Sequence, residues 1–175
     1  GIARVEAGDA GRAEPLLSAA LANPAVKQSP PRYALALAAL ATLRTTQGRN
    51  DEAIELLASA ATASRGAPLR RAEFLVQRAD LLTEIGRRSE AETLVREALT
   101  LDAEHVQGHY LLAQLLTRRG GGDEAKKETR IHDLLRQLYD HRTKRMERDT
   151  ARRLALRREL VAIDSGNPRA RYQLV

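Results

Sequence analysis

The sequence contains no cysteine, no tryptophan and only one Phe and four Tyr among its 175 residues. The absence of cysteine excludes disulfides, thiolate metal ligands and a cysteine nucleophile. Because aromatic and β-branched residues are scarce, an all-β fold is disfavoured. No apolar run approaches the roughly 20 residues of a membrane-spanning helix. The first residues show none of the features of a signal peptide.

Ala, Leu and Arg are abundant instead, with 30, 27 and 25 copies. These residues are among the strongest helix formers, so the composition predicts an all-α protein. A content of 43% hydrophobic and 30% charged residues is typical of a folded globular protein in aqueous solution. A composition rich in Ala and Arg but poor in Lys also suggests a GC-rich, bacterial genome.

A spaced pattern of small and apolar residues recurs along the chain. Each copy has a Gly, an Ala five positions later, Leu or Val four positions further, and another Ala three positions after that. Complete copies begin at Gly8, Gly48 and Gly86, and a fourth begins at Gly120 but departs after Ala125. A small residue precedes each glycine by seven positions, and in the later copies another residue precedes that one by four. These residues are Gly1, Ala41, Ala79 and Ala113, preceded by Leu37, Leu75 and His109.

The glycines are 40, 38 and 34 residues apart. In this pattern and spacing, residues 1–130 resemble the tetratricopeptide repeat family, whose unit is a helix–turn–helix of about 34 residues. The longer intervals contain turn residues at 23–31 and 64–68, which we interpret as inter-repeat loops. The family's Trp is absent, and Ala103 stands where its closing Pro is expected. The resemblance implies an α-α superhelix of antiparallel helix pairs, in which each pair buries its apolar face against its neighbours.

We expect a solenoid of about three and a half helix pairs over 1–139, a basic helical extension or long helix over 140–163, and the start of a further repeat over 164–175. The chain therefore looks like a stretch of a longer solenoid. A break near Asp140 is favoured over one continuous helix, because helices beyond about 25 residues are uncommon outside coiled coils. The expected helices span 1–7, 11–22, 31–46, 50–63, 69–85, 89–101, 104–118, 123–139 and 144–163, with another starting at 168.

The basic residues are concentrated near the C-terminus. Residues 118–159 hold 14 Arg or Lys and 8 Asp or Glu, which accounts for the whole net charge of +6. Such a patch can bind a polyanion, either nucleic acid or an anionic surface. A solvated helix face is the favoured interpretation, because acids are interleaved and only Tyr139 is near enough to stack on bases. The densest part comprises Arg142, Lys144, Arg145, Arg148, Arg152, Arg153, Arg157 and Arg158.

No catalytic motif is present, and we expect neither enzymatic activity nor a cofactor. The run Gly120-Gly121-Gly122 lacks the preceding strand and following Lys-Ser/Thr of a phosphate-binding loop. His105 and His109 are spaced i, i+4 like metal ligands, but no third ligand supports them. We therefore interpret them as structural or surface histidines.

The resemblance implies a concave groove that is lined by the first helix of each pair and receives a peptide segment or a helix of a partner protein. The family's carboxylate-clamp residues are missing, which disfavours binding of a chain-terminal carboxylate. The acidic Glu73, Asp80 and Glu84 favour a basic or polar ligand. By register, the candidate groove residues are Thr42, Thr45, Thr46, Glu73, Val76, Asp80, Thr83, Glu84, Gln107, Tyr110, Gln114, Thr117 and Arg118, and we also place Leu35 and Ala38 there.

The sequence thus predicts a non-catalytic scaffold for protein–protein interaction. Two alternatives stay open. One is polyanion binding through residues 142–158, and the other is an accessory docking domain of a larger enzyme or redox protein.

Overall fold

The computed structural model describes residues 10–139 and 150–167, which form α-helices and short connections without a strand. Consecutive helices pack as antiparallel pairs, as the repeat pattern predicted. The helices of this part of the chain are α1 (Ala10–Ala22), α2 (Pro24–Lys27), α3 (Pro30–Thr46), α4 (Asn50–Ala63), α5 (Pro68–Glu84), α6 (Arg88–Leu101), α7 (Val106–Arg119), α8 (Gly122–Tyr139) and α9 (Thr150–Ile163).

The observed bounds from α3 to α8 agree closely with the predicted ones. The short α2 was missed, because 23–31 was interpreted as a loop from its three prolines. Asn23 caps this turn by accepting a hydrogen bond from the Ala25 N–H at 2.9 Å. Pro24 follows at the first helical position, where its missing N–H costs nothing. The helices predicted at 1–7 and from 168 lie outside the described residues.

In three helix pairs, a glycine turn of the same geometry connects the first helix to the second. Gly48, Gly86 and Gly120 have φ of 73°, 87° and 84°, in the left-handed region. The N–H of the residue after each glycine donates to the carbonyl oxygen five positions earlier, at 2.8 Å in all three turns. This is the Schellman bond that ends a helix through a left-handed glycine. The glycine register of the repeat therefore marks the turn within each pair.

The chain divides into two compact units, residues 1–97 and 98–175. In the first unit, α3 packs on α4 and α4 packs on α5. Alanines of the repeat, including Ala53, Ala60 and Ala91, are completely buried. Their small side chains let the helix axes approach closely, which larger residues would prevent. Leu37 and Leu75 are buried at equivalent positions of their repeats.

In the second unit, α7 packs on α8 and α8 packs on α9. Leu156 and Leu160 of α9 join a core with Ile131, Leu134 and Leu135 of α8. The two helices lie against each other, and the predicted break near Asp140 falls outside the described residues. None of the described helices is long and apolar enough to span a bilayer.

Gly86→Ala is expected to lower the free energy of unfolding by about 1 kcal/mol, because its φ of 87° disfavours any residue with a Cβ. No atom lies within 4 Å of the place a Cβ would occupy, so the cost is conformational rather than steric. Gly66→Ala is the matched control, with equally open surroundings and no positive φ. Urea denaturation followed by circular dichroism measures both, and equal destabilisation would contradict the assignment.

Candidate functional site

Predicted groove residues line a cavity within the first unit. Thr42, Thr45 and Thr46 come from α3 and Asp80 comes from α5. The cavity has a volume of about 220 Å³. We call it the threonine cavity, and its lining residues are Ala41, Thr42, Thr45, Thr46, Leu57, Gln77, Asp80 and Leu81. The predicted register therefore brings four separate groove residues to one place.

The threonine hydroxyls of this cavity donate their protons to their own helix. Thr42 and Thr45 each donate to the carbonyl oxygen four residues earlier, at 3.1 Å. Thr46 donates to the carbonyl oxygen of Leu43 at 2.8 Å. A hydroxyl has one proton and two lone pairs, so each oxygen can still accept a hydrogen bond. The cavity wall is consequently rich in acceptors.

Asp80 adds a negative charge to the threonine cavity. Asp80 is exposed on α5, and desolvation of its carboxyl group by the residues around it raises its pKa. No ion pair to Asp80 is found within residues 10–139 and 150–167. An exposed carboxylate without a cationic partner is accessible to a positively charged group from outside the chain.

The other groove residues predicted in the first unit do not line this cavity. Glu73 is paired with Arg70 at 3.2 Å. Thr83 donates back to the carbonyl oxygen of Ala79 at 2.8 Å, and Glu84 is exposed. Val76 is 2% exposed and belongs to the core, so its placement in the groove is wrong. A β-branched apolar residue on a groove helix can face either side, and the register placed it on the wrong one.

A second cavity, of about 450 Å³, lies between α7 and α8 in the second unit. It brings together the predicted Tyr110, Gln114, Thr117 and Arg118, while the predicted Gln107 is exposed elsewhere on α7. The register could not identify its α8 residues, because the resemblance assigns groove positions to first helices only. We call it the arginine cavity, and its lining residues are Tyr110, Ala113, Gln114, Thr117, Arg118, Thr129, His132, Asp133 and Arg136.

Aromatic rings form one wall of the arginine cavity. The ring centroids of Tyr110 and His132 are 5.2 Å apart, with their planes tilted by 45°. Burial lowers the pKa of His132, and the charge of Arg136 lowers it further, although Asp133 acts in the opposite direction. The imidazole is therefore neutral at pH 7. Its Nδ1 lies 3.6 Å from the Asp133 carboxylate.

The two histidines at i, i+4 have separate structural tasks. The Nδ1 of His105 accepts a hydrogen bond from the Gly108 N–H at 3.1 Å and so caps α7. His109 is buried, with its Nδ1 2.6 Å from Glu128 and its Nε2 3.1 Å from the carbonyl oxygen of Ala103. Both rings are thus engaged by the protein itself. Within the described ranges, no three His, Asp or Glu residues are grouped as metal ligands.

The basic segment divides into described and undescribed parts. Arg142, Lys144, Arg145 and Arg148 lie outside the described residues. Arg152, Arg153 and Arg158 are exposed on α9.

Arg157 corrects the prediction of a basic patch, because its side chain is buried. It is 6% exposed and forms an ion pair with the buried carboxylate of Glu104. The Tyr139 hydroxyl also donates to Glu104, and Arg157 lies 5.8 Å from the centre of the Tyr139 ring. Burial and the hydrogen bond to Glu104 raise the pKa of Tyr139. Arg157 therefore anchors α9 and contributes no surface charge.

Comparison with known protein families gives two matches, both described as tetratricopeptide repeat. One covers residues 1–68 and the other covers residues 45–115, so that together they span 1–115. No curated protein sequence matches the chain significantly.

Arg157→Ala is expected to destabilise the second unit by about 3 kcal/mol, because it leaves the buried Glu104 carboxylate without its cation. Arg158→Ala removes the same charge from an exposed position of α9 and should change stability by less than about 0.5 kcal/mol. Urea denaturation of both variants measures the difference. If the two midpoints shift equally, the buried ion pair does not anchor α9.

Proposed function

The chain belongs to the tetratricopeptide repeat family, and we propose that it is a non-catalytic module that binds a basic peptide segment or helix of a partner protein. Repeats of this family generally form protein–protein interaction modules and are typically non-catalytic. The observation that carries the finer proposal is the threonine cavity, in which Asp80 has no ion pair among the described residues.

The chemistry of the threonine cavity favours a ligand that donates hydrogen bonds. Its threonine oxygens accept, and Asp80 supplies a negative charge. Lysine and arginine side chains are pure donors with a positive charge, so they match both properties. A charge-assisted hydrogen bond to a carboxylate is stronger than a hydrogen bond between neutral groups. A Lys or Arg of the partner therefore fits this cavity better than an acidic or apolar side chain.

The dimensions of the cavity agree with one inserted side chain. A volume of about 220 Å³ exceeds that of a single water molecule and leaves room for a side chain. Ala41, Leu57 and Leu81 provide apolar walls along which the methylene stem of a lysine or arginine can lie. The charged end would then reach Asp80.

Polyanion binding through residues 142–158 receives less support. One of its eight basic side chains, that of Arg157, is committed to Glu104 inside the second unit. The exposed arginines of α9 keep this alternative testable by its salt dependence.

Asp80→Asn is expected to weaken binding of a peptide of alternating Ala and Lys by about tenfold, because the substitution keeps the shape of the side chain but removes its charge. Glu55→Gln is the matched control, since Glu55 is exposed on α4 and outside the threonine cavity. Fluorescence anisotropy of the labelled peptide gives the affinity, and circular dichroism verifies that both variants are folded. Affinity should also rise with pH through the titration of Asp80, since only its ionised form attracts the lysine.

Two results would contradict the proposal. One is equal binding by wild type and Asp80→Asn. The other is no binding of the basic peptide beside tight binding of single-stranded DNA that falls steeply with added salt, which would support the polyanion alternative.

A further inference from the structure

Three arginines of the second unit are neutralised by nearby acids. Arg119 pairs with Glu124 at 3.6 Å, Arg130 pairs with Glu159, and Arg157 pairs with Glu104. Arg118 and Arg136 differ from these three. Neither has an ion pair or hydrogen-bond partner within the described ranges, yet both line the arginine cavity.

The two guanidinium groups come from different helices, Arg118 from α7 and Arg136 from α8. The helices α7 and α8 pack directly against each other, and among the described residues they alone line the cavity. Each guanidinium carries several N–H donors in a fixed plane, an arrangement that matches the two oxygens of a carboxylate.

Besides the two arginines, the lining contains one fully charged side chain, Asp133, and hydrogen-bond donors in the Tyr110 hydroxyl and the Gln114 amide. The hydroxyl protons of Thr117 and Thr129 are given to their own helices, at 2.7 and 2.9 Å, so their methyl groups and acceptor oxygens remain. Tyr110 and the neutral His132 present ring surfaces. Both arginines are exposed, so their attraction for an anion depends on direct hydrogen bonds from the two guanidinium groups and weakens with added salt.

The charge balance distinguishes between classes of anion. Arg118 and Arg136 contribute two positive charges, and Asp133 subtracts one. With a neutral His132, the cavity has a net charge of about +1. A singly charged carboxylate satisfies this balance, whereas a doubly charged phosphate leaves a negative charge in excess beside Asp133.

From these observations we propose that the arginine cavity is a second recognition site, which binds the carboxylate of a Glu or Asp side chain of a partner peptide between Arg118 and Arg136, against Tyr110. The site shares with the proposed function only the premise that the ligand is a peptide. Its charge preference is opposite to that of the threonine cavity, so the two can be tested independently.

The test uses the whole chain and three labelled peptides, in which Ala alternates with Glu, Gln or Lys. We expect fluorescence anisotropy to show binding of the Glu peptide and no measurable binding of the Gln peptide. Arg118→Ala/Arg136→Ala should weaken binding of the Glu peptide by about tenfold or more, because two charge-assisted contacts are removed. Binding of the Lys peptide should be unchanged in this variant.

A charge-matched control is available in the first unit. Arg65 and Arg88 are both exposed, line neither cavity and have no ion pair within the described ranges. Arg65→Ala/Arg88→Ala therefore removes the same net charge and should leave the affinity for the Glu peptide unchanged. An equal loss in both double variants would overturn the proposal in favour of long-range attraction by the net charge.

His132 offers a local readout that does not depend on a label. A carboxylate bound between the arginines introduces a negative charge beside its ring, so the pKa of His132, followed by NMR, should rise when the Glu peptide is added. A resonance of His132 that titrates identically with and without the peptide would place binding elsewhere and overturn the assignment. Inorganic phosphate is used as a competitor in a separate measurement. Displacement of the Glu peptide by phosphate at equal or lower concentration would overturn the carboxylate specificity.

The failures of the two proposals are distinguishable. If the Lys peptide binds and depends on Asp80 while the Glu peptide does not bind, the arginine cavity proposal fails and the proposed function stands. If the Glu peptide binds and depends on Arg118 and Arg136 while the Lys peptide does not bind, the reverse holds.

Discussion

The close approach of paired helices is the constraint on which the rest of this structure depends. Two helix backbones can come near each other only where the side chains between them are small. Ala53, Ala60 and Ala91 satisfy this condition and are completely buried. The chain must also reverse direction within a few residues, and the left-handed glycines Gly48, Gly86 and Gly120 allow it to do so. Helix packing and chain reversal thus depend on alanine and glycine, which carry no polar side-chain groups. Groups that could bind a ligand lie on the helix surfaces.

On those surfaces, threonine hydroxyls and charged side chains have different roles. Threonines in both cavities donate their hydroxyl protons back to their own helix, as Thr42 and Thr117 do. They therefore bring acceptors rather than donors to the surface, and the charged neighbours decide what each cavity attracts. Asp80 makes one cavity negative, while Arg118 and Arg136 make the other positive. Similar helix pairs can in this way present opposite preferences.

The sequence predicted the helix pairs and turns well, because a repeated spacing reports a repeated local geometry. Leu37, Leu75 and His109 occupy equivalent register positions, and all three are buried. The burial of a histidine there could not be derived from spacing, since it depends on Glu128 of the following helix. Arg157 was counted as surface charge for the same reason. Its partner, Glu104, is fifty-three positions away, and no local pattern links the two. Arg136 was missed because the groove register covers first helices, whereas its cavity also uses the second.

The backbone turn within each pair has a consequence for how such a chain can change over evolutionary time. Its hydrogen bonds involve only main-chain atoms, so they tolerate almost any drift in the flanking side chains as long as the glycine is kept. The described pairs differ in the length of their first helices, since α3 and α5 have 17 residues each and α7 has 14. The interval that contains α2 is the longest of the three, at 40 residues against 34 in the shortest, and its extra length includes an ordered helical turn. A difference in length can therefore be accommodated in the first helix of a pair or as a helical turn before it, while the turn within the pair keeps its geometry.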